Sequence, residues 1–246
     1  MLWGSFGIVH IISLVLVALI NICLYFILKN KSDIIKKTVL FILSLSSLAA
    51  IVFNLIAWGS PLEYLPFHLC SLTALVLPFA VLTKNNVLSN LLLLWSLGAL
   101  AALVMNQAQA NFEILSATFF FYYFPHAFEF GIPILLFALK LTKKDIKYIG
   151  STLGITIAAY TAIHFINLAV NAYCLDANLL DKAGEIIQVN YMYSITPSIP
   201  VLQAFWNIIP APYWYLLLAT PIILIYLAIV YTPEFIKALR KRKHNL

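Results

Sequence analysis

Apolar residues run along this chain in seven long stretches, each separated from the next by a polar connection. About 20 apolar residues in helical form span a bilayer core of ~30 Å. The pattern therefore predicts an all-α, polytopic membrane protein. Its bundle of seven transmembrane helices falls at about 6–28, 38–57, 67–83, 87–105, 115–140, 148–171 and 213–232. The connections are too short for a separate soluble module, so residues 1–246 read as one domain. The longest connection, 172–212, holds Asn190-Tyr191-Met192-Tyr193 and the prolines Pro197, Pro200, Pro210 and Pro212. That composition predicts an ordered loop lying against the membrane surface. Trp206, Tyr213, Trp214 and Tyr215 fit an aromatic belt there.

Charge orients the bundle. Of the fifteen Lys and Arg residues, only Lys182 falls outside the first, third and fifth connections, the helix ends that bound them, and the C-terminal tail. Basic residues collect on the cytoplasmic side, which predicts an outside N-terminus and a cytoplasmic C-terminus in a multi-pass protein of the cell membrane. The first apolar stretch has no basic region before it, so no cleaved signal peptide is expected. The run Arg240, Lys241, Arg242, Lys243 is expected to lie against anionic headgroups. With 63% hydrophobic and only 10% charged residues, the chain is too apolar for a soluble fold, which carries about 25% charged residues. The net charge of +6 reflects topology and implies no nucleic-acid partner. Nothing in the sequence marks a soluble partner or a particular oligomeric state.

Ionisable groups in hydrocarbon cost ~2.5–3.5 kcal/mol each on insertion scales. Five positions stand out for this reason: His68, Cys70, His126, Glu129 and His164. At ~1.5 Å per residue, His68 and Cys70 lie within about 6 Å of the outer end of the third helix. His126 lies ~21 Å above Lys140, hence ~9 Å below the outer boundary. His164 is about 10 Å down the sixth helix, and Asn54 on the second lies near the same level.

His126 and Glu129 are three residues apart and share a helix face. A carboxylate there orients the imidazole as the third member of a triad does, or the two make a simple structural hydrogen bond. His68 and Cys70 are two apart, so on a helix they face different ways, His68 towards a headgroup or the outer loop. Cys70 is either a nucleophile or an inert core thiol. Cys174, read as part of the outer loop, is on the same side, and a Cys70–Cys174 disulfide is a rival reading. His68, His126 and His164 follow no metal-ligand spacing, so no metal and no cofactor are expected.

Leu65-Pro66-Phe67-His68-Leu69-Cys70, Phe124-Pro125-His126, Asn190-Tyr191-Met192-Tyr193 and Pro212-Tyr213-Trp214-Tyr215-Leu216 occur here in that order. Together they resemble the YwaF-like family of bacterial integral membrane proteins, related to animal transmembrane protein 164. The resemblance covers nearly the whole chain. It implies a phospholipid acyltransferase working through a cysteine and a histidine, which map to Cys70 and His126. After the NYMY element the family pattern has a Leu and a Lys-Pro, whereas this chain has Ser194, Ile195, Thr196 and Pro197.

The expected chemistry is acyl transfer between membrane phospholipids. His126, oriented by Glu129, takes the Cys70 proton, and the thiolate forms a thioester. His68, Asn54, His164, Asn190 and Tyr191 are the expected substrate-binding residues, with Asn54 or Asn190 donating to the oxyanion. A carrier using the same polar cluster without covalent chemistry, and a non-catalytic scaffold, are the alternatives; Pro78, Pro125 and Pro133 would supply a carrier's helix breaks.

Overall fold

The computed structural model describes residues 1–58 and 60–244, with side chains to Arg240. The side chains of Lys241, Arg242 and Lys243, and with them the headgroup contact expected of that run, lie outside the described residues. Among the described residues the chain is helical throughout, with no strand beyond two isolated bridges. The helices are α1 (Ile8–Leu28), α2 (Asp33–Ala57), α3 (Leu69–Thr83), α4 (Asn86–Val104), α5 (Ala117–Ala138), α6 (Ile149–Asp176), α7 (Pro200–Ile208) and α8 (Thr220–His244). Six of them, counting the 3-10 turns that lead into α6 and α8, are long and apolar enough to cross a membrane. The third, α3, has 15 residues. That is a rise of only ~22 Å against a core of ~30 Å.

The bundle has a lysine end and a loop end. At the lysine end Lys84 bridges Asp33 at 2.7 Å, joining the end of α3 to the start of α2. Asn85 caps α4 through its side-chain oxygen. Lys144 pairs with Glu234 at 3.1 Å and donates to the Val230 carbonyl, which holds α8 in place. Tyr231 of α8 donates to Asn90 of α4, and Asn90 in turn donates to the Lys143 carbonyl.

The interior lies around α4 and α5, where Leu77, Leu92, Ile132 and Leu136 are fully buried. The outward faces of α1, α2, α6 and α8 expose Ile11, Phe26, Ile42, Phe165 and Ile229. Such surfaces suit lipid contact.

The loop end is closed by two segments. Before α1, Trp3 is fully buried, and its indole donates to Ser13 at 2.9 Å. His10 accepts from the Phe6 N–H and donates to the Leu103 carbonyl, so it is a satisfied structural histidine. The second segment, between α6 and α8, covers the start of α3.

The structure moves several boundaries. Helix α6 runs to Asp176, five residues beyond the expected end, so Cys174 belongs to a helix and is fully buried there. Cys70 and Cys174 are both free, which removes the disulfide. The long connection contains its own helix, α7, opened by Pro200 at its first position, where a missing N–H costs nothing. The final stretch begins as a 3-10 turn, Trp214–Ala219, before α8 proper.

Candidate active site

The start of α3 is set by the segment before it. The Pro61–Tyr64 turn and the following Leu65-Pro66-Phe67 keep the chain out of helix until His68. His68 is the N-cap, with extended backbone (φ −72°, ψ 156°) and no side-chain cap bond. Cys70 is the second residue of the helix. The first amide with a helical acceptor is that of Leu72, which donates to the His68 carbonyl at 2.9 Å. The N–H groups of Leu69, Cys70 and Ser71 are the unpaired donors every helix start presents. The Ser71 hydroxyl and the amides of Cys70 and Ser71 lie beside the sulfur.

Cys70 is half-buried and reduced. Its thiol lies within electrostatic reach of Glu129, Tyr122 and Tyr193. His126 is 8% exposed and Glu129 2%. His126 packs on Tyr122 with ring centroids 4.4 Å apart. Its Nδ1 donates to the Tyr122 carbonyl at 2.6 Å, so the neutral ring carries its proton on Nδ1 and leaves Nε2 basic. Among the described residues no hydrogen bond joins Cys70 to His126; both border Tyr122, whose hydroxyl donates to the Ala102 carbonyl.

The expected Glu129–His126 bond is absent. The carbonyl one turn back along α5 holds the ring instead, because it is within reach of any helical histidine in a suitable rotamer. Glu129 turns towards α2, where Ser47 is beside it. Its Oε2 and the Ser47 hydroxyl are both buried without a hydrogen-bond partner. A buried carboxyl with an unpaired oxygen is costly to stability.

His68 and Cys70 do not face apart as helical residues would, because His68 precedes the helix. The His68 ring lies 5.6 Å from Tyr193 and 5.7 Å from Tyr191, and its Nδ1 accepts from the Met192 N–H at 3.3 Å. The loop contact expected for His68 is therefore present.

The other expected binding residues each make hydrogen bonds within the protein. Asn54 accepts from the Trp58 indole of its own helix at 3.3 Å. Asn190 folds back on its loop, donating to the Thr196 carbonyl and accepting from the Ile195 N–H. Tyr191 is fully buried and donates to the Leu62 carbonyl, so it has no surface to offer a substrate. His164 pairs with the Ser194 hydroxyl at 3.0 Å, and that hydroxyl also accepts from Asn167.

Two residues outside the expected set fix the loop. Asn167 accepts from the Tyr191 N–H at 2.9 Å and donates to the Tyr191 carbonyl at 2.8 Å. Asn171 does the same for Val189, at 2.7 and 2.9 Å. These amides stand in for a strand partner. Their signal in the sequence is two asparagines four apart on one face of an apolar helix.

The profile of the TMEM164 family matches residues 5–231. The chain belongs to this family. The match spans all of the elements just described except the end of α8. No curated protein and no solved structure matches the chain.

Replacing Asn167 with Ala removes both bonds to Tyr191 and leaves a buried N–H and carbonyl unpaired, at about 1–3 kcal/mol for each group. Hydrogen exchange in residues 187–194 is expected to rise at least tenfold in Asn167→Ala, while α4 and α5 keep their protection. Unchanged exchange in that segment would show that the clamp does not hold the loop.

Proposed function

We propose that this protein is a membrane acyltransferase that moves a fatty-acyl chain between phospholipids through a thioester on Cys70. The observation that carries the reading is the half-buried Cys70 thiol in the first turn of α3, with free backbone N–H groups beside it and the buried Glu129 carboxyl within electrostatic reach. A helix N-terminus favours the thiolate, and unpaired N–H groups are ready donors to an oxyanion.

His126 Nε2 takes the Cys70 proton, the ring being held by the Tyr122 carbonyl. The thiolate attacks the ester carbonyl of a donor lipid. The C–S bond forms, the C–O bond breaks, and the departing lipid alkoxide takes the proton from His126. In the second half His126 accepts the proton of an acceptor hydroxyl, whose oxygen attacks the thioester and releases the Cys70 thiolate. Glu129 offsets the charge on His126 when that ring is protonated. His68 holds the cover of the site through Met192.

The reading includes a topology. Seven segments cross the cell membrane with the loop end outside and the lysine end in the cytoplasm, six of them as full-length helices and the third as α3 together with the segment before it. Ester carbonyls lie just below the headgroups, the depth at which a short α3 sets Cys70. The PFHLC and NYMY elements ally the chain with the bacterial YwaF-like branch. A carrier reading has no comparable observation in its favour.

In liposomes, Cys70→Ser and His126→Ala are each expected to lower acyl exchange between labelled phosphatidyl and lysophospholipids at least ~100-fold, a usual loss for a nucleophile or its base. Full exchange in both variants would overturn the mechanism. For the topology, a cysteine in place of Ser198 is expected to react with an impermeant maleimide on intact cells, and one in place of Ser32 only after lysis. The reverse pattern would invert the orientation.

A further inference from the structure

The loop that covers Cys70 carries an unexplained tyrosine. Six buried or half-buried tyrosines at this end, Tyr122, Tyr123, Tyr160, Tyr191, Tyr213 and Tyr215, each engage the hydroxyl in a hydrogen bond. Tyr193 is half-buried, and among the described residues its hydroxyl has no partner. Yet its main chain is held on every side. Its N–H donates to the Asn190 carbonyl at 3.0 Å, and its carbonyl accepts from the Tyr215 hydroxyl. The next residue, Ser194, is fully buried between His164 and Asn167.

The backbone here is also strained. Met192 and Tyr193 both adopt left-handed conformations, at φ 52° and 56°. A non-glycine residue in that region costs on the order of 1–3 kcal/mol and persists only where its surroundings fix it. The result of the double turn is to lay the Tyr193 ring against His68, 5.6 Å between centroids; His68 precedes Cys70 by two residues, and the phenol is within electrostatic reach of the thiol. Strain and four anchoring bonds fix a phenol that has no hydrogen-bond partner among the described residues.

We propose that Tyr193 is a catalytic residue whose phenolic O–H donates to the carbonyl oxygen of the acyl group under transfer. This rests on the acyl-transfer reading above and deepens it. When the Cys70 sulfur bonds to the carbonyl carbon, the C=O electron pair moves onto oxygen. The free N–H groups of the α3 first turn meet that oxygen from one side and the Tyr193 hydroxyl from the other. The same pair receives it again when the acceptor hydroxyl attacks the thioester, so one tyrosine serves both halves. No phosphate contact is involved, and the group recognised is the ester carbonyl itself.

The test is acyl exchange by wild type and Tyr193→Phe in liposomes, with kcat and KM resolved. Loss of one oxyanion donor lowers kcat about 10²–10³-fold. That drop is expected with KM within about twofold and thermal unfolding unchanged, since the hydroxyl has no bond to lose. Protein with 3-fluorotyrosine at 193 keeps the donor and is expected to retain wild-type transfer. Unchanged kcat in Tyr193→Phe overturns the proposal while leaving Cys70 chemistry intact. So does an equal loss in the fluorotyrosine protein, which assigns the ring a structural role, or a Tyr193→Phe protein that fails to fold, which assigns the hydroxyl a structural one. Absence of exchange in the wild type overturns the acyl-transfer reading and this proposal with it.

Discussion

A helix too short to cross the bilayer begins with backbone N–H groups that no helical carbonyl can reach. In water those donors are satisfied at little cost; beneath the end of a membrane bundle they need cover and a partner. This is the situation of α3, and the rest of the loop end is arranged around it. The segment after α6 folds over the helix start, and His68, its N-cap, receives the Met192 N–H from that cover. Because the cover has its own polar backbone, it too requires partners, which Asn167 and Asn171 supply.

The arrangement separates holding from acting. Asn167, Asn171, His164, Ser194, Tyr191 and Tyr215 spend every polar atom that contacts the loop on the loop itself. Cys70, Glu129 and Tyr193 keep atoms free, and His126 keeps Nε2 free while Nδ1 is committed to Tyr122. Unspent polar groups in an apolar setting lower stability, and their clustering around one thiol is the physical case for chemistry there.

Much of the bundle was legible in the sequence. The C-terminal ends of α1, α2 and α3 fall where the apolar runs stop, at α1 and α3 just before Lys29 and Lys84, whereas α2 starts five residues before the expected position and includes Lys36 and Lys37. The start of α3 was read two residues early, since apolarity does not distinguish an extended Phe67-His68 from a helical one. The end of α6 lies five residues beyond the expected one: Asn171 looks like the end of the apolar run, but residues 172–175 carry the helix on to Asp176. The cost of ionisable groups in hydrocarbon singles out Cys70, His126 and Glu129, which the structure places in the first turn of α3 and the middle of α5. Their pairing was not legible. Spacing of three puts Glu129 on the face of His126, but it cannot show that a carbonyl one turn back is nearer. Asn190 and Tyr191 are candidate binding groups by residue type and side of the membrane, and sequence does not show that Asn190 folds back on its own loop or that Tyr191 is buried.

The central claim is a covalent acyl-enzyme at Cys70. Intact-mass measurement on the purified protein in phospholipid, wild type beside Cys70→Ala, tests it directly. A hydroxylamine-labile increment of fatty-acyl mass, present in the wild type and absent from Cys70→Ala, is the expected result. An increment that survives in Cys70→Ala, or no increment with Cys70 alkylated only after unfolding, would contradict the account and leave Cys70 as a structural thiol.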